Sequence, residues 1–120
     1  MRPEALIKCN QRVTEGHGRV RDLGLVASAA NRPDAVVGNE HAYPAPELKA
    51  AAILQSVVRD RPFTEGNDST AWLAMLLLLR CFGLKPGIDG CGIAHLIDVI
   101  AKEHTDVAWI ATQLAVEPVE

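Results

Sequence analysis

Apolar residues recur along this chain at helical spacing, and short polar turns mark where each helix starts and stops. Pro3 suits a first helical turn, and Glu4, Leu6, Ile7, Cys9, Asn10 and Val13 continue an amphipathic pattern that Gly16 and Gly18 end. Asp22 reads as an N-cap for a short helix, Leu23 to Ala30, which closes before Pro33. Residues 32–46 hold three prolines, a glycine and the β-branched pair Val36-Val37, the composition of an extended loop or small hairpin. Pro46-Glu47 opens a helix that runs to Asp60 through Leu48, Ala51, Ala52, Leu54, Gln55 and Val58. A second apolar run, from Trp72 to about Phe82, is stopped by Gly83, Pro86 and Gly87 and is read as a core helix enclosed on all sides. Gly90 to His104 and Val107 to Ala115, the latter capped by Asp106, complete the pattern. The expectation is an all-α bundle of about six helices with one short extended flap, since no strand–helix alternation supports a doubly wound sheet.

Between the two central helices lies Arg61-Pro62-Phe63-Thr64-Glu65-Gly66-Asn67-Asp68-Ser69-Thr70-Ala71, a polar, glycine-bearing turn. Backbone N–H groups at the start of a buried helix lack intrahelical partners, and the helix dipole favours negative charge there, so phosphate is the natural guest. Within the turn, Glu65 is a carboxylate able to hold a divalent cation such as Mg²⁺, and Asn67 reads as an N-cap. Arg61 is either a phosphate or partner contact or a surface charge pairing with Asp60 or Glu65. Asp68 and Ser69 favour a first helical turn in any reading. No proton acceptor of suitable pKa stands in the turn. His41, on the flap, is the one histidine placed to swing toward it as a substitute base, or else is an exposed loop residue.

Composition narrows the function classes. The 120 residues, 48% of them hydrophobic, fit a single domain over residues 1–120 that buries roughly two thirds of its unfolded surface. Twelve Lys and Arg against fifteen Asp and Glu give a formal charge of -3, which argues against a generic nucleic-acid binder, whose affinity for a phosphate backbone comes from clustered Lys and Arg. Neither a secretory leader nor a membrane span is expected, because the richest apolar run is about half of the roughly 20 residues a span needs. Cys9, Cys81 and Cys91 are odd in number and form no C-x-x-C pair, which points to a reducing cytoplasm, with Cys81 read as a buried small hydrophobe. Cys91 and His95 have helical ligand spacing but no second pair, so zinc is not expected. Trp72 and Trp109 read as core or interface aromatics, and the surface near Trp109 is a candidate for pairing with a second copy.

The turn at residues 61–71 resembles the signature of Fic and death-on-curing (Doc) proteins, His-Pro-Phe-x-Asp/Glu-Gly-Asn-Lys/Gly-Arg-Thr-Ala. Arg21-Asp22-Leu23-Gly24-Leu25, Tyr43-Pro44, Glu47-Leu48-Lys49-Ala50-Ala51-Ala52 and Thr70-Ala71-Trp72-Leu73-Ala74 extend the likeness to the Doc branch, over about residues 3–115. The resemblance implies a compact Fic-type helical fold, with residues near 35–44 as a target-positioning flap. It implies the toxin half of a toxin–antitoxin module, and therefore a protein partner, either an antitoxin or a translation factor. The implied chemistry is transfer of a phosphoryl group from ATP, or of AMP in most other Fic proteins, to a hydroxyl. Phe63 would pin the loop to the core, Glu65 would hold the metal, and Phe63, Gly66, Asn67, Asp68, Ser69 and Thr70 occupy the nucleotide-facing stretch.

Three departures matter. Arg61 stands where the signature has its proton-accepting histidine, and a guanidinium stays protonated at physiological pH. Asp68 and Ser69 replace a basic pair, a change of about three charge units against a polyphosphate, each lost contact costing on the order of 1.5–3 kcal/mol. Three readings follow: a Doc-like pseudoenzyme that binds a nucleotide, phosphate or protein without transferring anything; a transferase that works without histidine, through Glu65 with a metal and proton removal by the substrate itself, His41 or Asp68; or new chemistry on a small molecule in the same cleft. Phosphoryl transfer leans on positioning and charge more than on a strong base, which keeps the second reading open.

Overall fold

The computed structural model describes all 120 residues and has six α-helices: α1 (Pro3–Val13), α2 (Leu23–Asn31), α3 (Pro46–Asp60), α4 (Asn67–Cys81), α5 (Gly90–Lys102) and α6 (Val107–Leu114). Their starts follow from local chemistry. Pro3 and Pro46 sit in the first turns of α1 and α3, where a missing N–H is no loss. Asp22 accepts from the Leu25 N–H at 3.1 Å and Asp106 from the Trp109 N–H at 2.7 Å. Asp89 caps α5 in the same way, through the Gly92 N–H at 2.8 Å.

The most enclosed helix is α3. Every residue from Ala50 to Val58 is buried, and the three consecutive alanines let the neighbouring helices approach its backbone closely. The apolar run of α4, expected to be enclosed on all sides, is not. Ala71, Ala74, Met75, Leu78 and Leu79 face the core, whereas Leu77 is 47% exposed and Trp72, Leu73 and Leu76 are half-buried. Cys81, expected inside, is exposed. Alanine carries little hydrophobic signal per residue, so the side-chain pattern points to the leucine run when the alanine run is the one surrounded.

Residues 32–46 fold as a 3₁₀ turn at Arg32–Asp34 followed by a two-stranded hairpin, β1 (Val36–Val37) antiparallel to β2 (Glu40–His41), with Val36 opposite His41. Arg32 secures the hairpin's base by donating to the Tyr43 hydroxyl at 3.1 Å and to Ser56 Oγ on α3 at 2.8 Å. A second small pairing, β3 (Leu84–Lys85) with β4 (Glu117–Pro118), ties the chain's end to the exit of α4. On the far side of α3, Gln55 donates to the Thr105 carbonyl at 2.6 Å and Arg59 to the Glu103 carbonyl at 2.9 Å, fixing the α5–α6 junction. No helix is long and apolar enough to cross a membrane.

Candidate functional site

The loop joining α3 to α4 is held from three directions. Arg61 ends α3 with φ 48°, a left-handed conformation that a non-glycine residue adopts only under constraint. The constraint is Arg21, whose Nε donates to the Arg61 carbonyl and whose Nη2 donates to the Asp60 carbonyl, both at 2.7 Å. The segment around Arg19 runs beside the loop like a short strand: Thr64 N–H donates to the Arg19 carbonyl at 2.9 Å, Arg21 N–H to the Pro62 carbonyl at 2.8 Å, and Val20 bridges Phe63.

Phe63 is 2% exposed and anchors the loop in the core, a burial worth about 1.5–3 kcal/mol. Asn67 closes the turn beneath it. Its Oδ1 accepts from the Phe63 N–H at 3.0 Å and its Nδ2 donates to the Phe63 carbonyl at 2.9 Å, so one carboxamide satisfies both polar groups of a buried backbone unit. Asn67 is therefore not the N-cap expected of it. The N-cap is Gly66, at φ 72°, and Asn67 is the first residue of α4.

The third hold comes from α1. Asn10 is fully buried, and its Nδ2 donates to the Glu65 carbonyl at 2.9 Å and to Thr70 Oγ1 at 3.1 Å. Space is tight here. A Cβ on Gly66 would come within 2.5 Å of Thr14 Cγ2, and one on Gly18 would collide with Asn10 Oδ1. Only glycine admits α1 so close to the loop. Asn10 and Thr14 lie far from the loop in sequence, and no local signal marks them as its supports.

Facing solvent, the loop borders a cleft of about 430 Å³ lined by Arg21, Arg59, Asp60, Arg61, Phe63, Thr64, Glu65 and Asn67. Its three arginines face two carboxylates, Asp60 and Glu65, so the lining carries a small positive excess, and the N-terminus of α4 opens beside it. Arg61 pairs with neither Asp60 nor Glu65, the partners expected of it, but with Asp68: Nη1 lies 3.1 Å from Oδ1. Asp68 and Ser69 are exposed, whereas Thr70 is buried beneath Asn10. Glu65 is exposed, and a second hollow bounded by Val13, Thr14 and His17 lies on its other side. His41 is exposed on β2 and does not line the cleft.

No three His, Cys, Asp or Glu side chains gather anywhere as a metal cage. Glu65 is a single carboxylate, a donor set that fits Mg²⁺ arriving with phosphate oxygens and water to complete its shell, not a cation held by protein alone.

A helical protein whose candidate site is a polar, arginine-bordered loop at the mouth of a core helix is the class that fold and geometry define. Residues 1–79, from α1 through most of α4, match the Fic/DOC family, and the chain belongs to it. It is 38% identical over 102 residues to a protein named Toxin Doc from Mycolicibacterium smegmatis (strain ATCC 700084 / mc(2)155), across 83% of this chain and 78% of that one. No solved structure matches the chain.

Proposed function

We propose that this protein is a Doc-like member of a toxin–antitoxin pair whose cleft keeps the shape of an anion cradle without a general base, so that it acts by binding. One observation carries the reading: the residue at the signature's histidine position, Arg61, is a permanent cation already paired with Asp68 at 3.1 Å. A guanidinium cannot take a proton from a hydroxyl. Loss of such a base slows transfer by about 10²- to 10⁴-fold, and the acidic Asp68 further weakens capture of a polyphosphate.

The competing reading, a transferase without histidine, sends the proton either to another side chain or to the substrate itself. Asp68 is engaged by Arg61, and His41 stands outside the cleft lining. Incubation of purified protein with α- or γ-labelled ATP, Mg²⁺ or Mn²⁺ and a cell lysate separates the two. The binding reading expects no label on any acceptor. Label transfer that disappears in Glu65→Ala would establish the transferase instead.

A protein partner is supported by an apolar cleft of about 410 Å³ between α1 and the C-terminal half of α4, where Ala5, Leu77, Leu78, Cys81 and Phe82 come together and Phe82 is 51% exposed. Exposed apolar side chains grouped in one hollow suit an apolar helix or strand of another chain. Leu77→Asp is expected to abolish co-purification with the product of an adjacent antitoxin-like reading frame while leaving the melting temperature within a few degrees. Retained co-purification would place the partner elsewhere.

A further inference from the structure

The two charged departures in the loop are partners in space. Arg61 ends α3 and Asp68 belongs to the first turn of α4, so their 3.1 Å contact bridges the loop from one helix end to the other. Arg61 cannot move away as a unit, because its N–H donates to the Val57 carbonyl at 3.1 Å and its own carbonyl is held by Arg21. The guanidinium is the part that can swing, held besides Asp68 only by a long 3.5 Å contact from Nη1 to the Val58 carbonyl. The other cleft arginines are committed to backbone carbonyls: Arg21 to Asp60 and Arg61, Arg59 to Ile100 and Glu103. Arg61 is thus the one cleft arginine whose partner is a carboxylate, and that carboxylate lies at the end of α4 where the dipole favours negative charge.

We infer that Asp68, outside the cleft lining but paired with its Arg61, makes an autoinhibitory contact that an incoming phosphate must displace. This rests on the reading of the loop as a retained anion cradle and adds the regulation of that site. Both side chains are about half exposed, 51% for Arg61 and 53% for Asp68, so the contact is a weak latch that a more highly charged ligand can open. Releasing Asp68 has two separable effects. It removes a repelling charge, and it frees a guanidinium to donate two N–H groups to phosphate oxygens. The second effect exists only if Arg61 is present, which distinguishes a latch from simple repulsion.

Calorimetric titration with inorganic pyrophosphate at low salt tests this on the wild type, Asp68→Asn, Arg61→Gln and the double variant. Asp68→Asn is expected to tighten pyrophosphate roughly tenfold, the scale of one recovered charge-assisted contact. With Arg61→Gln in the background, the same Asp68→Asn change is expected to gain no more than about twofold. Equal gains in both backgrounds would reduce Asp68 to a repelling charge and overturn the latch, as would no gain at all. Asp68→Ser repeats the comparison in case the asparagine makes a new contact with Arg61. Pyrophosphate binding involves no acceptor hydroxyl, so a wild type that proved to be an active transferase would sink the catalytic reading and leave this result standing.

Discussion

At the scale of single residues, the site depends on side chains that hold backbone. Asn10 and Asn67 each use a carboxamide to satisfy peptide groups that no helix or sheet satisfies, and both are almost wholly buried. Asn10→Leu removes two bonds and strands the Glu65 carbonyl and the Thr70 hydroxyl, an expected loss of about 2–4 kcal/mol in urea unfolding. A loss under 1 kcal/mol would mean that water replaces the amide. Gly66→Ala suffers from both its positive φ and the approach of Thr14 Cγ2, with about 1–3 kcal/mol lost. Thr14→Ser removes that methyl while keeping the hydroxyl that accepts from the Gly18 N–H, so the double variant is expected to recover part of the loss. Absence of any recovery would assign the whole effect to φ. None of this is legible in the loop's own sequence, because Asn10 acts over 55 and 60 positions, on the Glu65 carbonyl and the Thr70 hydroxyl.

At the scale of elements, the helices were legible and their surroundings were not. Proline in first turns, aspartate caps and glycine stops report directly on local backbone, so α1, α2, α3 and α6 begin where the sequence places them. Burial is a tertiary outcome. The leucine run of α4 predicts enclosure, yet Leu77 and Cys81 reach solvent while the alanines of α3 are covered. Cysteine chemistry checks this assignment. Burial pushes the Cys9 thiol above its ordinary pKa, whereas Cys81 and Cys91 are exposed. A thiol reagent at pH 8 is expected to titrate two cysteines quickly and the third only after unfolding. Above the ordinary thiol pKa the unfolded chain ionises first, so Cys9 is expected to lower stability as pH rises and to do nothing at neutral pH. Three fast thiols would contradict the packing of α1 against α4.

At the scale of the whole molecule, family and fold were readable from the loop and its flanking segments, and the Fic/DOC match over residues 1–79 agrees. The pairing of Arg61 with Asp68 was not readable, since sequence reasoning offered Asp60 and Glu65 as nearer neighbours. Those two precede or follow Arg61 on the chain, but the left-handed turn at Arg61 and the reversal at Gly66 bring the start of α4 back toward it. As proposed, the cleft retains its frame and lacks the signature's histidine and the basic pair that Asp68 and Ser69 replace. The most direct measurement is growth after induced expression of the Arg61→His, Asp68→Lys, Ser69→Arg triple variant, with label transfer from ATP followed in the same cells' lysate. Growth arrest and label transfer are expected of the triple variant, and neither of the wild type. A folded triple variant that neither arrests growth nor transfers label, or a wild type that does both, would contradict the proposal.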